Sequence, residues 1–69
     1  MADSEKAESE RQMVERHVAI GKRLIGQQRA LIAEKRAKGR DTSHAEDTLE
    51  QFQGMQRLHE QHLARLQRK

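Results

Sequence analysis

Sixty-nine residues hold at most one domain, and a chain this short buries only about 60% of the surface its unfolded form exposes. Only 33% of residues are apolar against 36% charged, Phe52 is the sole aromatic residue besides histidine, and Cys is absent, which excludes disulfides and thiolate zinc sites. The net charge of +3 is unevenly spread: residues 1–10 carry −3, residues 11–40 carry +7 and residues 41–69 carry −1.

Such a core supplies roughly 3–5 kcal/mol at best, so self-association is the expected remedy. No apolar run is long enough for a membrane span or a signal-peptide core, and a cytoplasmic chain with no membrane contact is expected.

Residues 1–8 read as a frayed acidic N-terminus, followed by a single helical-hairpin domain over 9–69. The absence of Pro and the abundance of Ala, Leu, Glu, Gln, Lys and Arg favour helix. The first helix has candidate starts at Asp3, Ser4 or Ser9, the last forming a capping box with Gln12. It should run to Lys38, with Lys35, Arg36 and Lys38 at its negative end and Gly39 as the left-handed terminator. Asp41, Thr42 and Ser43 then offer N-caps, and Ser43 with Glu46 forms a second capping box. The second helix continues to about Arg68. The predicted fold is therefore all-α, with helices over about 9–38 and 42–68, and so short a connection forces them antiparallel.

Apolar residues recur every seven positions, the spacing of a coiled-coil seam. With Val18 and Leu49 at position a, the expected interface residues are Val14, His17, Val18, Leu24, Ile25, Leu31 and Ile32 on the first helix. On the second they are Leu49, Phe52, Met55, His59, His62, Leu63 and Leu66. In an antiparallel pair e faces e and g faces g. The e edge should join Lys22 to Glu60, Arg29 to Gln53 and Arg36 to Glu46. The g edge sets His17, Leu24 and Leu31 against Thr48, Met55 and His62. Leu24, Leu31 and Met55 would stand partly in water in a lone hairpin, so the expected assembly is a homodimeric four-helix bundle. Gln28 and Gln56 occupy core positions d and a, where a buried amide fixes register at some cost in stability.

His17, His59 and His62 fall close together in this arrangement, with Gly21 opposite His59 leaving room for its ring. Three imidazoles can hold a divalent metal, but no HExxH-type spacing occurs. The plainer reading, polar residues filling one layer between Leu24 and Leu66, is preferred, so neither metal nor cofactor is expected. A dimer that loosens when imidazoles protonate is the intermediate reading. Ile20 and Leu58 point outward as a separate second patch, and Gly26 and Gly54 fall on outer faces. Arg16, Lys22, Arg23, Arg29, Arg36 and Arg40 form a basic row that could neutralise phosphates. No aromatic side chain is available for base stacking, and half of the row is matched to acids of the second helix, so RNA or DNA binding is the alternative to association with itself or a partner protein. No catalytic residue set can be drawn, since Glu46 and Glu50 lie on open surface with no cleft to perturb them. The chain is not expected to be an enzyme.

The stretch 17–66 resembles short uncharacterised bacterial proteins predicted to form helical hairpins. In these an HV…G…I..Q..LI run is followed by G-x-D-T-x-x-A, then L..F and H..HL. The matching residues are His17, Val18, Gly21, Ile25, Gln28, Leu31, Ile32, Gly39, Asp41, Thr42, Ala45, Leu49, Phe52, His59, His62 and Leu63. The resemblance implies a hairpin in a bacterial cytoplasm and brings no activity, substrate or partner. In general shape the arrangement is also similar to the small dimeric RNA-binding hairpins of plasmids.

Overall fold

The computed structural model describes residues 9–68. Two helices, α1 (Glu10–Ala37) and α2 (Ser43–Gln67), pack against each other as a hairpin. The expectation of a frayed N-terminus falls on residues 1–8 and lies outside the described residues.

Both ends of α1 follow from local chemistry. The Gln12 N–H donates to Ser9 Oγ and the Ser9 N–H donates to Gln12 Oε1, each at 3.1 Å, which completes the expected capping box. At the other end Gly39 adopts φ +69, a left-handed conformation that costs glycine nothing. The Gly39 N–H donates to the Arg36 carbonyl at 3.0 Å and the Arg40 N–H to the Lys35 carbonyl at 2.8 Å. These two bonds are the Schellman pair, and they satisfy carbonyls that the helix end would leave open.

The start of α2 differs from expectation. Thr42 is the N-cap and makes no side-chain capping bond, so the Ser43–Glu46 box does not form. Asp41 acts instead: its Oδ1 accepts from the Ser43 N–H at 3.1 Å and from the Ser43 hydroxyl at 2.8 Å. A short acidic side chain two residues back reaches the first free N–H more directly than Ser43, which is already helical.

Val14, Ile32, Ala45 and Gln56 are buried, all at a or d positions. Val18, Ile25, Leu49, Phe52, Leu63 and Leu66 are half-buried. Two glutamines bolt the helices together. Gln28 Nε2 donates to the Ala45 carbonyl at 2.8 Å, and Gln56 Nε2 donates to the Val18 carbonyl at 2.9 Å, so each helix offers one amide to the other's backbone. A Cβ on Gly21 would overlap the Gln56 side-chain oxygen and stand 2.8 Å from its Cδ. Gly21 therefore makes room for Gln56, not for the His59 ring as the sequence suggested. The two helices form a single layer measuring 55 × 27 × 13 Å, about one helix thick.

Gly21→Ala should therefore lower the melting temperature, because the overpacking cost of about 1–3 kcal/mol exceeds the helix-propensity gain of about 1 kcal/mol. At Gly26 no atom stands within 4 Å of the place a Cβ would take. Gly26→Ala should gain the same propensity unopposed and raise the melting temperature by roughly 4–8 °C. Thermal melts of both variants at one protein concentration check the pair.

Candidate functional site: an open apolar face

In the seven-residue frame, positions g and c of each helix lie beside the seam on the same side of the hairpin. On α1 these include Met13, His17, Ile20, Leu24 and Leu31, spaced three, four or seven residues apart along one stripe, with Glu10, Gln27 and Glu34 among its polar members. On α2 they include Met55, Leu58 and His62. Met13, Leu24, Leu31, Met55 and Leu58 are 38–65% exposed, as expected for Leu24, Leu31 and Met55 in a lone hairpin. His17, Ile20, Gly21, Leu24, Phe52, Met55, Gln56 and His59 line a shallow groove of about 220 Å3 between the helices. Ile20 is thus part of the same face as Leu24 and Met55, not of a separate patch. Leu58, three residues beyond Met55, extends it. Both were legible as apolar c positions, but reading a/d and g alone set them aside.

The histidines separate into two arrangements. The His17 and His59 ring centroids stand 5.2 Å apart with the planes tilted by 42°, while His62 Nε2 meets Glu10 Oε2 at 3.0 Å. The expected cluster of three is therefore a facing pair and a separate latch across the open end. Glu10 was missed, although its g position one heptad before His17 places it on the same edge as His62. Among the described residues no three His, Cys, Asp or Glu side chains group as a metal site.

The opposite, e edge is only partly zipped. Arg36 donates to Glu46 Oε2 at 2.7 Å, and the same oxygen accepts from the Thr42 hydroxyl at 2.7 Å. Of the three expected cross-helix contacts this is the one that forms among the described residues. Lys22 and Glu60 are not joined within 4 Å; Glu60 accepts from Gln56 Nε2 at 3.4 Å instead. Gln56 draws Glu60 inward along its own helix, one turn away. Arg29 makes no bond to Gln53. Arg16, Lys22, Arg23 and Arg29 lie exposed along α1, whereas Arg40 sits in the connection beyond Gly39. The row is less neutralised by α2 than the sequence implied.

No helix among the described residues is long and apolar enough to cross a membrane. No family model, curated protein or solved structure matches the chain.

Two carboxylates at the turn titrate low. Asp41 is held below its ordinary value by the Ser43 N–H first and the Ser43 hydroxyl second. Glu46 is held low by the Thr42 hydroxyl and then by Arg36. A carboxylate whose folded pKa is depressed contributes stability above its unfolded value and loses it as pH falls through the folded one. Acid titration should therefore leave the hairpin unchanged in this respect down to about pH 4–5 and weaken the turn progressively below. Chemical shifts of Asp41 and Glu46 followed between pH 6 and about pH 2 check the order, with midpoints below the ordinary carboxylate range.

Proposed function

We propose that the chain is a small interaction module that acts by association, with the g/c face as its contact surface and a second copy of the same hairpin as the preferred partner. Two hairpins apposed through this face make a coiled-coil-like four-helix bundle. The observation that carries the reading is the apolar face formed by the exposed Met13, Leu24, Leu31, Met55 and Leu58 with the half-buried Ile20, on a layer about one helix thick. Exposed area supports it. A compact monomer of 8.0 kDa would expose about 4,500 Å2, whereas this chain exposes 5562 Å2. The excess of roughly 1,000 Å2 is that of a flat body whose apolar edge is left uncovered. Each of these partly covered Leu and Met side chains would contribute on the order of half of the 1.5–3 kcal/mol of full burial, and several together are large against the core of a lone 69-residue chain.

The lack of Cys and the resemblance in residues 17–66 favour a bacterial cytoplasm as the place of action. A second reading, a basic dimer that binds RNA or DNA, draws on one observation. Lys22 and Arg29 have no described acid of α2 within ion-pair distance and stand exposed beside Arg23 on the side away from the apolar face. The two readings are compatible in geometry, since one uses the g/c face and the other the e/f face of α1. Association is preferred because the apolar face needs cover whatever the basic row does.

Native mass at micromolar concentration should correspond to two chains. Leu24→Glu and Met55→Glu, each placing a charge on the open face, should shift it to one chain and lower the melting temperature. Glu50→Lys, on the outer face, should leave the mass unchanged. A wild-type monomer under these conditions would overturn the proposal. Retention on nucleic acid at about 50 mM salt that fades at higher salt would favour the second reading.

A further inference from the structure

His17 and His59 stand on different helices and face each other across the groove, one at g of α1 and the other at d of α2. Each lies one helical turn from a residue of the tight central contact: His17 precedes Gly21 by four, and His59 follows Gln56 by three. The Gln56 bond to the Val18 carbonyl therefore holds both helices in register at the level where the rings meet. Neither ring makes a hydrogen bond among the described residues. Imidazole nitrogens half-buried in an apolar groove without a partner are available to a ligand.

The separation of the rings matches a shared ion. With Zn–N bonds of about 2.0–2.1 Å and tetrahedral angles, two imidazoles on one metal place their ring centres roughly 5 Å apart. The His17 and His59 centroids are 5.2 Å apart. The outer torsion of histidine is soft and roughly two-fold, so each ring can turn about its own Cβ–Cγ bond without moving either helix. We propose that His17 and His59 form a two-imidazole chelate for a divalent transition metal of the zinc, nickel or copper type, bridging the two helices. Ligand softness fits these ions rather than magnesium or calcium, which take oxygen donors. Two protein ligands leave the remaining positions to water. Gln56 lines the same groove, while its Oε1 is buried against Gly21 and takes no part in the site. His62 is not part of the site, being held by Glu10, and His44 lies at the far end beside the turn. Both ligands belong to one chain, but the groove they line is part of the g/c face, so zinc and a second hairpin compete for it.

The test is titration of the full chain with zinc chloride, at a dilution that holds it as single hairpins, read by the imidazole proton resonances and by thermal melting, with reversal by a chelator. The resonances of His17 and His59 should shift together at one equivalence, and the melting temperature should rise with free zinc, because an ion that binds only the folded hairpin stabilises it. His17→Gln and His59→Gln should each weaken zinc affinity by about tenfold or more, since even outer-sphere changes cost about 10–100-fold. His44→Gln and His62→Gln should leave it unchanged. Shifts confined to His44 or His62, an unmoved melting temperature, or wild-type affinity in His17→Gln and His59→Gln would each overturn the site.

Discussion

The arrangement depends on one steric and polar coincidence: a glutamine of one helix enters the space left by a missing side chain on the other. Gln56 is 6% exposed, donates to the Val18 carbonyl, and occupies the volume in which a Gly21 Cβ would lie. The Val18 carbonyl sits within a helix and keeps its own acceptor role there, so the amide adds a second bond at its other lone pair. Gln28 repeats the device in reverse, onto the Ala45 carbonyl near the start of α2. Ala45 is small and buried, and the helix backbones come close at both points. Apolar seams slide easily by one heptad. A heptad slip would carry Gln56 from Gly21 toward Val14 or Gln28, where a side chain already stands. Register is thus set by two amides and one glycine more than by the leucines.

That division of labour explains why the apolar residues are so incompletely covered. With the register held by short-range backbone bonds, the bulky side chains Leu24, Leu31 and Met55 are not needed between the two helices and project along one edge. The adjoining c positions carry Ile20 and Leu58 into the same surface. The polar residues divide in the same way. His62 is drawn to Glu10 at the open end, Arg36 to Glu46 at the turn, and the central imidazoles of His17 and His59 are left facing each other. Both contacts lie on open surface and contribute little energy. Their role is to tie the two extremities of the layer.

Much of this was legible in the residues. The hairpin, the Ser9–Gln12 box and the Gly39 terminator follow from local rules whose partners lie within a few positions. Helix bounds accordingly agree to within about a residue, as far as ends can be defined. The heptad frame also placed Leu24, Leu31 and Met55 on the open side and paired Arg36 with Glu46. What the sequence did not disclose were choices between near-equivalent partners. Asp41 rather than Ser43 caps α2, Gln56 rather than His59 fills the hollow at Gly21, and Glu60 turns to Gln56 rather than to Lys22. In each case several side chains reach the same group, and packing across the seam decides. The face itself was read too narrowly, because a pairwise view of g against g left out the c positions.

The outward side of the hairpin bears on the size of any assembly. Opposite the apolar face lie Lys22, Arg23, Glu50 and Gly26, the last with empty space around it. A subunit with one adhesive side and one hydrated side can satisfy its adhesive side by a two-fold match, after which nothing remains to recruit a third. Growth into fibres would require a second, different sticky surface, and the charged back of this layer offers none. The stoichiometry under the proposed association is therefore self-limiting, set by the unlike character of the two broad sides rather than by the strength of the contact.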